Sequence, residues 1–476
     1  MKRALVLILL FISCSSADLS DNLRARINQI ANAHPEASLA FYAVDVNSGE
    51  VICAHNAQMN LAPASILKTL TTAAALELLG PDFRFTTRFI FPNKIENGSL
   101  NGNIHVLPGG DPSLGSRFFN EGIPPENVFR ELIEFLQSKG VKSIKGKIIL
   151  HTHGFETERV VPNWSYDDLG NYYGASVAPL NCFDNTVFIT FKSAGTGTPT
   201  LVTGMTPDIS GLSFKNEVIA ANIGYDNAYV YGSPRQYNRV LRGEIPANRS
   251  SFKVKASMPE PELYAMQQLV KELRNNEIEV PVAAVSIINE PAPESKGYLV
   301  HEMKSQPLSE IVKVVNIESH NLFAEGLLRA IALEKGGYWS REKAIKEVKA
   351  YFADKIKLEN CNLYDGSGLS RFNGVSAQMM AELMEYMWHS KNKNVFYESL
   401  PVAGVSGSIK GMFKGSKAQN NLRAKSGYLE KVRSYSGYTK TATGKVAAFT
   451  VMVNNYATKS SVMRNDIESI LRALAD

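Results

Sequence analysis

Three short polar motifs, far apart in the chain, most constrain what it can fold into. They are Ser65-Ile-Leu-Lys68, Ser319-His-Asn321 and Lys425-Ser-Gly427. The first two begin 254 residues apart, more than a single α/β domain needs between them. If their side chains act together, one domain must be split along the chain. The length of 476 residues allows roughly three domains in all.

The segment around the first motif has the pattern of a helix. Apolar residues recur near helical spacing from position 67 to position 78, and Gly80-Pro81 ends the pattern. Positions i and i+3 share a helix face, so Ser65 and Lys68 can hydrogen-bond. A base activates a serine hydroxyl, and burial favours the neutral amine of a lysine. The pair is a candidate nucleophile and base; the alternative is two polar residues on a solvated helix turn.

The second motif interrupts a region that is otherwise amphipathic and helical. The Ser319 hydroxyl can pass a proton between Lys68 and a leaving group. The Asn321 amide can hold Lys68 and a substrate carbonyl. The alternative is a helix cap, because Ser and Asn are favoured there for local reasons.

The third motif begins a predicted antiparallel meander of three strands. Strand-like segments cover residues 423–428, 432–438 and 446–453. On the first of these, Lys425 and Ser426 can bind a terminal carboxylate. The alternative is a surface strand with an isolated lysine.

The residues next to Lys425 suggest how a substrate backbone would be held. Gly427 allows a substrate backbone to approach the strand edge closely. The Tyr428 N–H can join the Ser65 N–H as an oxyanion hole.

The three motifs resemble the S-x-x-K, S-x-N and K-[ST]-G set of β-lactamases and penicillin-binding proteins. The chain is most similar to the class C low-molecular-mass penicillin-binding proteins, which are D-alanyl-D-alanine carboxypeptidases and endopeptidases. Four further segments share that family's pattern: 109–114, 173–181, 365–371 and 400–404. His320 stands where Asp is commoner, and Ser426 stands where Thr is commoner.

The resemblance implies an α/β (α+β) fold of the penicillin-binding-protein/β-lactamase type, with an antiparallel sheet flanked by helices. It implies hydrolysis of peptidoglycan stem peptides through an acyl-enzyme on Ser65, and acylation of the same serine by β-lactam antibiotics. The implied reaction requires no metal and no organic cofactor. Arg371 and the pair Asp167-Asp168 are further candidates, for reading a stem-peptide side chain. A β-lactamase and a non-catalytic peptidoglycan-binding scaffold stay open as alternatives.

Domain boundaries follow from the spacing and from the composition between the motifs. Residues 18–85 and 300–476 are predicted to form the peptidase domain, and 86–299 an inserted β-rich region of two subdomains. The insertion contains strand-like runs at 85–91, 104–107, 148–151 and 186–191, and one amphipathic helix near 127–139. Residues 291–295 resemble a linker.

The N-terminus predicts export to the periplasm. Residues 1–17 have the charged start, short apolar stretch and small-residue cleavage site of a signal peptide. The alternative is a lipoprotein leader over residues 1–13, with Cys14 lipidated as a membrane tether. The formal net charge of +5 is too small to indicate a nucleic-acid partner.

Cysteines and histidines outside the motifs suggest no metal site. Cys53, Cys182 and Cys361 have no metal-binding spacing and are predicted to be small buried residues. His105 and the His151-Thr-His153 segment are predicted to be polar residues at strand ends rather than metal ligands. The sequence does not fix the oligomeric state.

Overall fold

The computed structural model of the protein describes residues 19–92, 94–119 and 127–476. The predicted signal peptide, the alternative leader and Cys14 lie outside these ranges. The chain divides into two units. The first unit joins the chain up to Pro81 with Leu308–His320 and Arg341–Asp476, and the second comprises Asp82–Pro307 and Asn321–Ser340.

An antiparallel five-stranded sheet forms the centre of the first unit. Its strands follow in the order Arg423–Leu429, Val432–Lys440, Val446–Asn454, Ser38–Asp45 and Val51–His55. The first three confirm the predicted meander. Of its three inner strands, Val446–Asn454 and Ser38–Asp45 are buried along almost their whole length, since helices cover both faces of the sheet.

Helices of the first unit supply the two layers that cover this sheet. They span 19–33, Leu67–Leu79, Leu308–Ile317, Arg341–Phe352, Ala377–His389, Lys393–Ser399 and Ser460–Ala475. Apolar residues of 19–33 and Ser460–Ala475 share one core cluster with the sheet, among them Leu23, Phe449 and Ile467. The helix predicted at the first motif is confirmed as Leu67–Leu79, with Gly80 as its C-cap.

The second unit is rich in strands, as predicted. A mixed sheet has the order Val285–Ile288, Ile148–His151, Ile104–Leu107, Thr86–Pro92 and Tyr298–Lys304. Three smaller sheets contain Leu201–Thr206, Thr186–Lys192 and Phe252–Ser257; Ser213–Ala221, Asn238–Pro246 and Asn227–Tyr231; and Ile95–Glu96, Ser99–Leu100 and Ser143–Ile144. All four predicted strand-like runs are confirmed.

The helices of the second unit correct one expectation. They span Arg130–Ser138, Tyr166–Leu169, Pro261–Asn275 and Asn321–Gly336. Arg130–Ser138 confirms the helix predicted near 127–139, but the expectation of a single helix within 86–299 is wrong. Pro261–Asn275 has 15 residues and carries Pro in its first turn, a helix-start signal that the surrounding strand-like composition outweighed.

The chain passes between the two units at 81/82, 307/308, 320/321 and 340/341. The predicted domain boundaries, 85/86 and 299/300, stay a prediction. Strand Tyr298–Lys304, which the second predicted boundary cuts, pairs along its full length with Thr86–Pro92. One hydrophobic cluster runs through the second unit from Phe89 to Ala284, and the division into two subdomains also stays a prediction. Among helices in the described ranges, none has both the length and the apolar composition of a membrane span.

Candidate active site

Ser65 lies in a single 3-10 turn, Ala64–Ile66, directly before helix Leu67–Leu79. Its neighbour Ala64 has φ +50°, in the left-handed region that costs an alanine conformational energy. Such a turn persists only where surrounding contacts hold it.

Lys68 lies one helical turn after Ser65 and is fully buried. Its Nζ donates to Ser65 Oγ at 3.0 Å and to the Ser367 carbonyl at 2.6 Å. A nucleophile within hydrogen-bond reach of a buried amine is the arrangement that serine activation requires. The sequence predicted the first of these contacts, whereas the role of the Ser367 carbonyl was missed.

The turn that presents this carbonyl is organised by Asp365. The buried Asp365 carboxylate accepts hydrogen bonds from the Gly368 N–H at 2.8 Å and the Ser370 N–H at 2.7 Å. It also accepts from Asn373 Nδ2 at 2.8 Å. Segment 365–371 shares the family's sequence pattern, but the sequence did not predict a positioning role for its aspartate.

Two glycines bring neighbouring segments against the Ser65 turn. A Cβ at Gly427 would lie 2.6 Å from the Pro63 carbonyl oxygen and 3.0 Å from Ser65 N. A Cβ at Gly368 would lie 1.9 Å from the Ala64 carbonyl oxygen. The predicted reason for Gly427 was access for a substrate backbone; in the structure, the turn of the protein itself already requires glycine there.

Lys425 and Ser319 form the second pair of the site. Lys425 is fully buried, and its Nζ donates to Ser319 Oγ at 2.8 Å and to the Ser426 carbonyl at 3.1 Å. Burial, and repulsion from Lys68 when that amine is protonated, hold the pKa of Lys425 well below its ordinary value, with Glu318 acting in the opposite direction. Ser319 has φ +59° and lies in the break between two helices, as the polar interruption predicted.

The remaining predicted residues of the first unit lie along the strand of Lys425 and the hairpin after it. Ser426 Oγ lies 2.5 Å from Ser408 Oγ, a neighbour that the sequence did not predict. Tyr428 is 54% exposed, and the Arg433 guanidinium lies 4.3 Å from the centre of its ring. Arg371 Nη1 donates to the Glu430 carbonyl at 3.0 Å. The oxyanion-hole role of Ser65 and Tyr428 and the recognition role of Arg371 stay predictions.

Asn321 belongs to the second unit. It begins helix Asn321–Gly336, and its Nδ2 donates to the Tyr173 carbonyl at 2.7 Å. Its predicted contact with Lys68 stays a prediction. The predicted pair Asp167-Asp168 lies on the short helix Tyr166–Leu169 of the same unit.

The histidines and cysteines set aside by the sequence have structural surroundings. His105 Nδ1 lies 2.9 Å from His151 Nε2 on the neighbouring strand, and His151 Nδ1 lies 3.0 Å from the Glu290 carbonyl. Across residues 19–92, 94–119 and 127–476, no group of three or more His, Cys, Asp or Glu side chains could hold a metal. Three cysteines are free and buried, which confirms that prediction: Cys53, Cys182 and Cys361.

Known proteins resemble the chain over nearly all of its length. The model of the D-Ala-D-Ala carboxypeptidase 3 (S13) family matches residues 19–476. The D-alanyl-D-alanine carboxypeptidase DacB of Haemophilus influenzae is 26% identical over 461 residues, which cover 94% of this chain and 92% of that protein. A D-alanyl-D-alanine carboxypeptidase of an Actinomadura species is 26% identical over 428 residues, covering 87% and 77%.

A solved structure extends the similarity to the fold. The crystal structure of penicillin binding protein 4 (dacB) from Haemophilus influenzae matches with a TM-score of 0.78 at 25% identity, covering 94% of this chain and 98% of that one. The similarity confirms the predicted penicillin-binding-protein fold.

Proposed function

The chain belongs to the D-Ala-D-Ala carboxypeptidase 3 (S13) family and is a serine-type D-Ala-D-Ala carboxypeptidase, and we propose that Ser65 is its nucleophile and Lys68 its base. The observation that carries this assignment is the 3.0 Å hydrogen bond between Lys68 Nζ and Ser65 Oγ, made by a fully buried lysine. Burial disfavours the charged amine, and a neutral amine can accept the serine proton.

The proposed reaction begins at the carbonyl of the penultimate D-Ala. Ser65 Oγ attacks the carbonyl carbon, a C–O bond forms, and the hydroxyl proton passes to Lys68. The backbone N–H groups of Ser65 and Tyr428 donate to the oxyanion. The C–N bond then breaks, Ser319 gives its proton to the departing amine of the terminal D-Ala, and Lys68 returns the proton it took to Ser319 and becomes neutral again. Water hydrolyses the acyl ester and frees Ser65.

Lys425 has two roles in this proposal. Its hydrogen bond to Ser319 Oγ, at 2.8 Å, fixes the hydroxyl that hands on the proton. Its positive charge, with the Ser426 hydroxyl, binds the terminal carboxylate of the substrate. Burial lowers the pKa of Lys425. The negative charge of an arriving carboxylate opposes that shift and favours the charged form of the lysine.

A β-lactam presents a strained amide and a carboxylate in place of the peptide, so we expect it to acylate Ser65 and leave a slowly hydrolysed ester. The Haemophilus influenzae relative of known structure is named a penicillin binding protein. The β-lactamase alternative predicts the same acylation with rapid release. The lifetime of the adduct therefore separates the two functions.

The test is labelling with a fluorescent penicillin, followed by mass analysis of the labelled peptide. Wild type should carry the label on the peptide that contains Ser65, and Ser65→Ala should carry none. Ser138→Ala, at an exposed serine at the end of a second-unit helix, is the matched control and should label like wild type. Labelling of Ser65→Ala would disprove the assignment of the nucleophile.

Peptidoglycan is the proposed natural substrate, and the proposed location is the periplasm. Both follow from the family resemblance and from the N-terminal pattern of residues 1–17. A tether through lipidated Cys14 is the alternative to soluble export. Incubation with pentapeptide and cross-linked muropeptides, followed by mass analysis, measures whether the enzyme removes terminal D-Ala, opens cross-links, or does both.

A further inference from the structure

The segment 400–409 follows the free edge of strand Arg423–Leu429. The Ala424 N–H donates to the Pro401 carbonyl at 3.0 Å, and the Ala403 N–H donates to the Leu422 carbonyl at 2.9 Å. These backbone hydrogen bonds fix the start of the segment to the strand that carries Lys425. Residues 400–404 share the family's sequence pattern, but the sequence predicts no role for them.

The same segment then turns back towards the candidate active site at Gly407. This glycine has φ +57°, and a Cβ there would lie 2.9 Å from the Ile317 carbonyl oxygen, two residues before Ser319. The turn brings the next residue, Ser408, back to the strand, where its Oγ lies 2.5 Å from Ser426 Oγ. The segment therefore lies against Ile317, just before the second motif, and contacts Ser426 of the third motif.

We propose that Ser408 is a substrate-binding residue whose hydroxyl, together with that of Ser426, holds the terminal carboxylate of the peptide or β-lactam. This inference deepens the proposed function and rests on it. Ser408 is exposed, so an arriving carboxylate can reach its hydroxyl.

The number of available donors supports this role. A carboxylate offers two oxygens and about four acceptor positions. Lys425 Nζ has three N–H groups, and two of them already donate to Ser319 Oγ and the Ser426 carbonyl. The two hydroxyls of Ser408 and Ser426 carry two protons, of which their mutual hydrogen bond uses one. When a carboxylate displaces that mutual hydrogen bond, both hydroxyls can donate to it, and Ser408 then adds one donor to those of Lys425 and Ser426.

The experiment compares two acylating compounds that differ only in the carboxylate. Second-order rates of Ser65 acylation are measured with benzylpenicillin and with its methyl ester. A hydrogen bond to a charged group corresponds to about a 10- to 100-fold change in rate. Ser408→Ala should lose about that factor with benzylpenicillin and less than about twofold with the ester. Ser408→Thr, which keeps a hydroxyl, should restore most of the rate.

Val405→Ala is the matched control, because Val405 is 57% exposed on the same loop and carries no hydroxyl. It should acylate like wild type with both compounds. An equal loss with both compounds in Ser408→Ala, or no loss with either, would overturn the role of Ser408. If wild type reacts with neither compound, the proposed function fails, and this inference fails with it.

Discussion

Replacing Gly368 with alanine probes the packing that holds the Ser65 turn. A Cβ at Gly368 would lie 1.9 Å from the Ala64 carbonyl oxygen, about 1.5 Å inside the 3.4 Å at which ordinary contact begins. Gly368 also has φ +79°, which costs an alanine about 1–2 kcal/mol. Overlap with a packed backbone adds about 1–3 kcal/mol. Gly368→Ala should therefore lower the free energy of unfolding by about 2–5 kcal/mol.

Gly444→Ala separates the two costs. Gly444 has φ +83°, close to that of Gly368, but a Cβ there would meet no atom within 4 Å. Gly444→Ala should lower the free energy of unfolding only by the conformational cost, about 1–2 kcal/mol. Denaturant unfolding of both variants measures the difference between them, which is the cost of the overlap with the Ser65 turn.

Gly368→Ala should also slow the acylation of Ser65 by penicillin. Ser367, whose carbonyl accepts from Lys68 Nζ, directly precedes Gly368, so a displaced turn moves the base relative to Ser65. A displacement of about 1 Å at a reacting group can cost about 100-fold in rate. Gly444→Ala should be acylated by penicillin at the wild-type rate. If Gly368→Ala matches Gly444→Ala in both stability and acylation, the packing argument is refuted.

Three further predictions concern the groups around this turn. The pKa of Lys425 is lowered in the folded protein, so between that pKa and the ordinary value of 10.5 the unfolded chain binds more protons than the folded protein. The free energy of unfolding of wild type should therefore rise with pH in this range, relative to that of Lys425→Met. Denaturant titrations at neutral pH and at about pH 10 measure this, and a difference independent of pH would contradict it. Asp365→Ala leaves the buried N–H groups of Gly368 and Ser370 without their acceptor, at about 1–3 kcal/mol each, so the free energy of unfolding should fall by about 2–6 kcal/mol and acylation should slow. Asp365→Asn, which keeps one oxygen acceptor, should lose less in the same assays. Ser434→Ala removes the hydrogen bond to the Pro63 carbonyl and should cost about 1 kcal/mol, measured by thermal unfolding.

Much of the candidate site could be predicted because its signals are local. Spacing of i and i+3 at the start of a helix predicted that Ser65 and Lys68 come together, and they do, with Ser65 in the 3-10 turn that leads into the helix. Alternating apolar residues and turn residues likewise predicted the three strands after residue 422. The order of the motifs then indicated the family, and the family model matches the chain from residue 19 to its end.

Other predictions failed or stayed incomplete where local composition was ambiguous. Helix Pro261–Asn275 was missed because the residues around it favour strands, although its proline and acidic start are helix signals. The unit boundary after Pro307 depends on strand Tyr298–Lys304 pairing with Thr86–Pro92, more than 200 residues earlier in the chain. Pairing between distant strands leaves no mark on either segment alone.

By itself, the sequence determined the family and predicted the nucleophile, its base and the carboxylate-binding strand. Only the tertiary structure decided which groups support them: the Ser367 carbonyl on Lys68, Gly368 against Ala64, and Ser408 beside Ser426. The physical reason is that a backbone carbonyl is the same in every residue, and a glycine shows its purpose only when the neighbour it admits is known. Lys68 and Ser367 lie 299 positions apart, so their contact exists only once the chain has folded.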